Sequence, residues 1–342
     1  MNQYEVINYI LPKKHYKAEF DSVTQYAPAN IALCKYWGKR DEILNLPITS
    51  SISVALPNKG ATTTLRVLPH QENVTDKVTL NNKTVSPQSE FYKKIISFIS
   101  LFKTKTSDCY QIDTISTIPI GAGLASSACG FAALTLCFNA LYGLNLQPAY
   151  LSILARLGSG SACRSVYSGF VEWQVGQHKN GMDSFASPLP SAWPDFRIGL
   201  LMVDENVKLL SSRLAMQRTI ETSTLYPLWP IQVKEDCENL KQAIKTKDFT
   251  LLGAVSEHNA LTMHALMLNA WPPISYQKPE TIQLMHTIWE ARQNGLPIFF
   301  TQDAGPNIKL LFLCKHTQVV QALFPAIDII IPFATNPITE EL

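Results

Sequence analysis

The sequence predicts an α+β protein of two domains, and three observations support that fold class. The chain has 342 residues, of which 46% are hydrophobic and 16% charged, which is enough apolar material for two cores. The predicted strands and helices mix without a regular β–α–β rhythm. A Pro-rich stretch over 187–194 breaks the pattern and is typical of a domain boundary. We therefore expect an N-terminal extension over 1–20, a first domain over 21–190 and a second domain over 191–342.

The first domain is predicted to open with strands and to continue into helices. Alternating apolar and small polar residues predict a strand over 48–56, and a Thr-rich run predicts another over 61–67. Pro57-Asn58-Lys59-Gly60 predicts a turn between them. Downstream, apolar spacing and bounding glycines predict a helix over 91–102, a strand over 109–117, and helices over 125–142 and 147–157.

The second domain is predicted to begin with an apolar strand over 198–203. Helical spacing of apolar residues follows, and two short apolar runs come after it. These patterns predict helices over 233–245, 249–268 and 278–294, then strands over 297–301 and 309–314.

Charge and cysteine usage limit the class of protein. A formal net charge of +2 gives no reason to expect a nucleic acid or a membrane surface as partner. The seven cysteines show no CxxC spacing, and the N-terminus lacks a signal-peptide pattern, so we expect reduced thiols in a cytoplasmic protein. The longest nearly apolar run, 131–146, contains Asn139 and is too short to span a bilayer.

A glycine- and serine-rich loop indicates a phosphate site. It precedes an apolar helix, and it consists of Gly121, Ala122, Gly123, Leu124, Ala125, Ser126 and Ser127. Glycines allow a ligand to approach the backbone closely, and a helix start offers unpaired N–H groups to an anion. The loop lacks the Gly-Lys-Ser/Thr of a P-loop and the third glycine of a Rossmann motif. The alternative is an ordinary strand-to-helix turn in which the two serines cap the helix.

Several sequence blocks carry a family resemblance. The glycine loop resembles the ATP phosphate loop of the GHMP small-molecule kinases. The segment 27–41, which reads APANIALCKYWGKRD, and the segment 302–307, which reads QDAGPN, resemble signatures of the diphosphomevalonate decarboxylases. Further blocks at 45–54, 158–165 and 211–216 agree, in family order, so that the resemblance covers most of the chain.

The resemblance implies both a fold and a reaction. The fold is that of the GHMP kinases, with an N-terminal domain like ribosomal protein S5 and a C-terminal ferredoxin-like domain. The reaction is the ATP-dependent decarboxylation of mevalonate 5-diphosphate to isopentenyl diphosphate, with ADP, phosphate and CO₂ released. Magnesium is expected with ATP because phosphoryl oxygens need charge neutralisation. A homodimer is expected from the resemblance alone.

Three residues match the catalytic positions of that family. Asp303 is expected to orient the C3 hydroxyl of the substrate or accept its proton, Lys35 to neutralise Asp303 or the transferring phosphate, and Arg164 to bind the C1 carboxylate. For Asp303 the alternative is a turn-forming role, since Asp before small residues and Pro is common in turns. For Lys35 and Arg164 the alternative is that each is a solvated charge on the surface, although both lie in runs of small or apolar residues.

The other site residues carry over position by position. The diphosphate end of the substrate is expected at Tyr36, Lys39, Ser159, Gly160, Ser161, Ser212, Arg213 and Met216. The ATP phosphates are expected at 121–127. Gln302 stands where the family often has an apolar residue, so we expect different packing or hydrogen bonding beside Asp303.

The sequence is compatible with three alternative functions. One is the same chemistry on mevalonate 5-monophosphate, and another is a sibling kinase that phosphorylates without decarboxylating. A third, from a different class, is a GHMP-fold protein that binds a ligand without catalysis. Such a protein could dispense with Asp303 or Lys35, and this chain has both.

Overall fold

A computed structural model describes residues 1–11, 17–69, 74–105, 108–118, 126–206 and 210–333. The architecture is mixed α and β, as the sequence predicts. In the described part of the chain, the α-helices are α1 (Gln3–Ile10), α2 (Glu90–Ser100), α3 (Ser126–Leu141), α4 (Pro148–Gly158), α5 (Ser212–Thr222), α6 (Trp229–Thr246), α7 (Phe249–Asn269), α8 (Pro279–Gln293) and α9 (Thr317–Leu323).

Strands from the two halves of the chain form separate sheets. They are β1 (Ser22–Cys34), β2 (Lys39–Asp41), β3 (Leu46–Pro47), β4 (Ser51–Val67), β5 (Lys77–Leu80), β6 (Lys83–Thr84), β7 (Tyr110–Ser116), β8 (Phe170–Trp173), β9 (Ala186–Pro188), β10 (Phe196–Leu201), β11 (Phe299–Gln302), β12 (Ile308–Leu313) and β13 (Asp328–Ile330). The first sheet has the order β6-β5-β7-β4-β8-β9 with β1 paired to β4, and the second has the order β11-β12-β10-β13.

The predicted turn at residues 57–60 is wrong, because these residues belong to the single long strand β4. β4 pairs antiparallel with β1, which is also long, and the register steps from Gly60 opposite Pro28 to Leu56 opposite Ala29. The turn-forming residues therefore form a bulge in β4, so the strand continues instead of reversing.

Helix α1 lies in the segment for which the sequence predicted only an extension. Asn2 and Glu5 form a capping box at its start. Val6 and Ile7 are buried in the same hydrophobic cluster as α3 and α4. The helix is therefore packed onto the core of the first half, which lies between α3 and the first sheet.

The two halves of the chain share one hydrophobic cluster. Ile31 and Leu33 on β1 pack in this cluster with Trp229 on α6, Leu252 on α7 and Phe196 on β10. The C-terminal end of β1 is consequently held between the halves, and the residues that follow it are placed at their junction. A separate cluster lies between the second sheet and α8.

The state of the cysteines and the apolar character of the helices were both predicted from the sequence. All seven cysteines are described, and each is a free thiol. Within the described ranges, no helix combines the length and apolar character that a membrane crossing requires.

Candidate active site

A cleft of about 740 Å³ opens beside the junction of the two halves. Residues after β1, the start of α3, a 3₁₀ segment (Gly160–Arg164), the start of α5 and the loop after β11 all contribute to it. The predicted site residues that line the cleft are Lys35, Tyr36, Lys39, Ser127, Ser159, Gly160, Ser161, Arg164, Ser212, Arg213, Met216 and Asp303. Residues that lie far apart in the sequence thus meet in one cavity of the size that a small-molecule site requires.

The predicted phosphate loop is described only at its end. Gly121, Ala122, Gly123, Leu124 and Ala125 lie outside the described residues, and Ser126 opens α3 with its side chain outside them. Ser127, in the first turn of α3, faces the cleft, and its hydroxyl oxygen is 3.3 Å from that of Ser159. A helix start with paired hydroxyls therefore borders the cleft, which suits a phosphate group.

An ion pair joins the two halves at the centre of the site. Lys35 Nζ lies 2.7 Å from Oδ1 of Asp303 and donates a second hydrogen bond of 2.7 Å to the carbonyl oxygen of Ala32. The Lys35 side chain is 2% exposed and that of Asp303 is 22% exposed. The Lys35 side chain is thus fully buried, whereas the Asp303 carboxylate remains partly exposed to the cleft.

A second lysine holds the other oxygen of Asp303. Lys309, in the middle of β12, is 1% exposed, and its Nζ lies 3.2 Å from Oδ2. Burial alone would raise the pKa of Asp303, but the ammonium groups of Lys309 and Lys35 together hold it well below its usual range. Asp303 is therefore a carboxylate at neutral pH, and each of its oxygens contacts a lysine.

The same pair changes the acidity of Lys35. Burial, together with the charge of Lys309, outweighs the attraction of Asp303 and lowers the pKa of Lys35 to about 8. His264 on α7 is also affected, since burial and the two lysines lower its pKa to about 4. The neutral imidazole lies with Nε2 3.1 Å from the carbonyl oxygen of Asp303, and because a carbonyl can only accept, Nε2 is the donor.

Arg164 presents a buried guanidinium to the cleft. Its Nε donates to Oδ1 of Asn30 at 3.2 Å and its Nη1 to the hydroxyl of Ser51 at 2.5 Å. These partners are neutral, and burial lowers the pKa of Arg164. No hydrogen bond joins Nη2 to any described residue. An anion in the cleft would therefore provide the hydrogen-bonded charged partner that this desolvated cation lacks among the described residues.

A second cluster of charges lines the cleft. Lys39 Nζ lies 2.9 Å from Oε2 of Glu42, and Arg213 Nη2 lies 3.3 Å from the same oxygen. Burial lowers the pKa of Lys39, which makes an anionic partner favourable. One carboxylate bridges two cations here, so the cluster carries excess positive charge.

Tyr36 and Gly160 lie against each other in the lining of the cleft. The Tyr36 hydroxyl is buried and has no hydrogen-bond partner among the described residues. Burial raises the pKa of Tyr36 far above its usual value, so the hydroxyl stays a donor. A Cβ atom on Gly160 would lie 2.8 Å from that oxygen, so residue 160 must lack a side chain for Tyr36 to sit where it does.

The side chain of Gln302 makes two hydrogen bonds beside the loop after β11. Gln302 is buried and donates from Nε2 to the carbonyl oxygen of Gly305 at 2.8 Å. Its Oε1 accepts from Nε2 of Gln277 at 3.3 Å. The polar side chain thus fixes the loop that presents Asp303.

Some residues at the site carried no recognisable signal in the sequence. Lys309 lies in an apolar strand. A lysine in such a strand can point to solvent, so its burial is evident only once both faces of the strand are known to be covered. His264 is a second such residue, because its contact with Asp303 depends on how α7 packs. Asn30 and Lys94 also line the cleft, and Asn30 is part of a block already singled out.

Comparisons with known proteins agree with this geometry. A family model described as the diphosphomevalonate decarboxylase-like N-terminal domain matches residues 27–186. A second, the mevalonate 5-diphosphate decarboxylase C-terminal domain, matches residues 198–336. The diphosphomevalonate decarboxylase of Debaryomyces hansenii is 38% identical over 305 residues, which cover 84% of this chain and 78% of the relative.

Solved structures extend the similarity to three dimensions. Mevalonate diphosphate decarboxylase from Staphylococcus aureus gives a TM-score of 0.85 at 36% identity, covering 92% of this chain and 97% of that one. A protein designated MDDEF, in complex with MVAPP, AMPPCP and magnesium, gives a TM-score of 0.84 at 36% identity, covering 91% of this chain and 97% of that chain.

The chain belongs to the diphosphomevalonate decarboxylase family. Its α+β architecture is the GHMP kinase fold, so the predicted family and fold are both confirmed.

Proposed function

We propose that this chain catalyses the ATP-dependent decarboxylation of mevalonate 5-diphosphate to isopentenyl diphosphate, releasing ADP, phosphate and CO₂. In this reaction the C3 hydroxyl is phosphorylated, the C3–O bond then breaks, and the electron pair of the C1–C2 bond forms the new double bond as CO₂ leaves. The observation that carries the proposal is the Lys35–Asp303 pair, with the open side of the carboxylate turned toward the cleft and Arg164 close by.

Asp303 is proposed to orient the C3 hydroxyl. A carboxylate has about four lone-pair sites, and the lysines engage one on each oxygen, so others remain for a substrate hydroxyl. Because its pKa is held low, Asp303 accepts the hydroxyl hydrogen bond as an anion. It aligns the oxygen for attack and is a poor final acceptor of its proton.

Lys35 is proposed to act on Asp303 and on charge that develops beside it. Its ammonium is fixed by two short hydrogen bonds, so little reorganisation is needed as the phosphoryl group arrives at C3. Arg164 is proposed to bind the C1 carboxylate through the guanidinium edge that Asn30 and Ser51 leave available. The positive character that C3 gains as phosphate departs is then offset by Asp303.

The diphosphate end is proposed to lie at the cluster of Lys39 and Arg213. Both cations share Glu42 and could exchange it for phosphate oxygens. The Tyr36 hydroxyl is an available donor nearby. The other residues expected at the diphosphate also line the cleft, namely Ser159, Gly160, Ser161, Ser212 and Met216.

The residues at the start of α3 fit ATP with its magnesium ion. Hydroxyls of Ser127 and Ser159 face each other beside the helix start, and Lys94 on α2 also lines the cleft. These groups would hold phosphate oxygens, and the hydroxyls are of the type that ligates Mg²⁺. ATP with Mg²⁺ supplies the phosphoryl group when bound.

One experiment tests the reaction and its rivals. The purified chain is given ATP, Mg²⁺ and either mevalonate 5-diphosphate or mevalonate 5-monophosphate, and ADP and CO₂ are followed together. We expect both products in equal amounts from the diphosphate. ADP without CO₂ would indicate a kinase, activity only on the monophosphate would indicate the sibling decarboxylase, and neither product would favour a ligand-binding protein.

Assembly, location and domain limits are proposals of the same kind. We propose a homodimer, on family membership alone, and domains over 21–190 and 191–342. The free cysteines support a cytoplasmic location, because buried thiols persist in a reducing compartment. Sedimentation of the purified chain tests the dimer.

A further inference from the structure

Lys309 is buried in a place where an apolar residue would be expected. It lies on the inner strand β12, opposite Leu200 of β10 and Thr301 of β11. Its side chain is 1% exposed, and its Nζ lies 3.3 Å from the carbonyl oxygen of Asn307 and 3.2 Å from Oδ2 of Asp303. It is not among the residues that line the cleft. Lys309 therefore contacts the site through Asp303 and has no access to the space where substrate would bind.

We propose that Lys309 is a positioning residue, which fixes the plane of the Asp303 carboxylate by holding Oδ2 while Lys35 holds Oδ1. The proposal rests on the proposed function, because it assigns Lys309 a part in presenting Asp303 to the substrate. The two lysines reach Asp303 from opposite halves of the chain, Lys35 from the end of β1 and Lys309 from β12.

A single lysine would leave the carboxylate free to rotate. The terminal torsion of an Asp side chain is broad and roughly two-fold, so one hydrogen bond fixes one oxygen and leaves the other to swing. When Lys35 binds Oδ1 and Lys309 binds Oδ2, the directions of the remaining lone pairs are fixed. The position of a hydroxyl that binds to them is then fixed as well. Small errors in such a position cost rate, because a reacting oxygen must lie within a narrow range of its target.

Stability alone does not account for a lysine here. Burying an ammonium is costly, and a buried group of ion-paired residues can often be replaced as a whole by apolar residues of similar volume without loss of stability. The cost is increased by Lys35, whose like charge faces the same carboxylate. A feature that opposes folding and acts on a proposed catalytic carboxylate is expected to serve catalysis.

The charged and titratable groups around this pair give the proposal a pH signature. Lys35 faces Asp303, Lys309 and the neighbouring thiol of Cys34, and His264 approaches from α7. Burial and the charge of Lys309 both lower the pKa of Lys35, so removing that charge raises it. Loss of activity at alkaline pH, which follows deprotonation of Lys35, then moves to higher pH.

The test compares variants of the full chain with ATP, Mg²⁺ and mevalonate 5-diphosphate. In Lys309→Met we expect kcat to fall on the order of 10- to 100-fold while KM for the substrate stays within about twofold. The midpoint of the alkaline decline should rise by about one pH unit. Lys309→Arg keeps the charge, so its alkaline midpoint should remain that of the wild type, with part of the rate retained.

Lys103→Met is the matched control. Lys103 pairs with Asp76 at 2.7 Å in a partly buried site outside the cleft. This variant should lose thermal stability without any movement of the alkaline midpoint. Circular dichroism checks that each variant is folded, and Lys309→Gln replaces Lys309→Met if the latter does not fold.

Several outcomes would overturn the proposal. One is wild-type kcat in folded Lys309→Met or Lys309→Gln. Another is a loss of kcat with an unmoved alkaline midpoint, because that would indicate a merely structural role. If none of the neutral variants folds, a shifted alkaline midpoint in Lys309→Arg would contradict it. Absence of CO₂ release by the wild type is a separate result, which rejects the proposed function itself.

Discussion

Lys35 Nζ and Asp303 Oδ1 lie 2.7 Å apart, although 268 residues separate them in the chain. The contact joins the end of β1 to the loop after β11, so it exists only when both halves are folded and docked. A buried ammonium and a carboxylate open to the cleft form the centre of the proposed chemistry.

Asp303→Asn should remove turnover and leave nucleotide binding largely intact. The amide cannot carry the negative charge that orients the C3 hydroxyl, and it leaves two buried lysines without their counter-ion. We expect kcat to fall on the order of 10²- to 10⁴-fold. Calorimetric titration with ATP and Mg²⁺ checks nucleotide binding. Asp328→Asn, at an exposed pair with Lys59, is the control, and an active Asp303→Asn enzyme would reject the assignment.

The pH dependence of kcat should be asymmetric. Lys35, with a pKa of about 8, is an ammonium at pH 7 and loses its proton as the pH rises through that value, so activity should fall above about pH 8. Asp303 has a pKa well below its usual range and stays ionised through mildly acidic pH. His264, with a pKa of about 4, stays neutral there. Initial rates between pH 5 and pH 10 check this, and a decline centred near pH 6 would contradict it.

Arg164→Lys should impair use of the substrate carboxylate even though the charge is kept. A lysine cannot reproduce the planar fork that contacts Asn30 and Ser51 and leaves an edge for an anion. Hydrogen bonds to charged groups contribute about 1.5–3 kcal/mol, which corresponds to a loss on the order of 10- to 100-fold in kcat/KM. KM for ATP should change little. An equal rise in KM for both substrates would point to a general disturbance of the fold.

Glu42→Gln should strengthen binding of the diphosphate end. The carboxylate now bridges Lys39 and Arg213 and would repel phosphate oxygens placed between them. We expect KM for mevalonate 5-diphosphate to fall roughly three- to tenfold at low ionic strength, with the gain lost at high salt. Glu238→Gln, on the exposed face of α6, should have no such effect. A higher KM in Glu42→Gln would place the diphosphate elsewhere.

Glu257→Gln should reduce stability without a specific effect on the site. Glu257 accepts two hydrogen bonds from Arg292, one from the indole of Trp289 and one from the backbone N–H of Phe300. Breaking such a buried pair costs roughly 2–4 kcal/mol. Urea unfolding measures the loss. KM values should stay at the wild-type level, and an unchanged unfolding midpoint would contradict the role assigned to Glu257.

The sequence predicted the elements whose periodicity is strong and local. The helices at 249–268 and 278–294 were placed within a residue or two of α7 and α8, because apolar spacing over several turns is a property of the segment itself. The short helix α1 was missed, since its buried face becomes meaningful only against the core that it covers. The turn over 57–60 was predicted from local propensity, which pairing with β1 overrides.

The candidate site followed from the sequence only where a recognisable block carried it. Lys35, Arg164 and Asp303 were singled out in this way, and the structure brings all three to the cleft. Lys309 gave no such signal, because its contact with Asp303 depends on how β11 and β12 pair and on the loop between them. The altered pKa of Lys35 depends likewise on burial by the second half of the chain.

The separation of Lys35 from its partner also has a consequence for synthesis. Ribosomes add about 5–20 residues per second, so the 268 additions that lead from Lys35 to Asp303 take on the order of 10–50 seconds. During that time Ile31 and Leu33 lack the second-half residues of their cluster, and Lys35 lacks its counter-ion. The nascent chain therefore presents an apolar strand end with an unpaired cation, a surface that hydration or a chaperone must protect until Asp303 emerges.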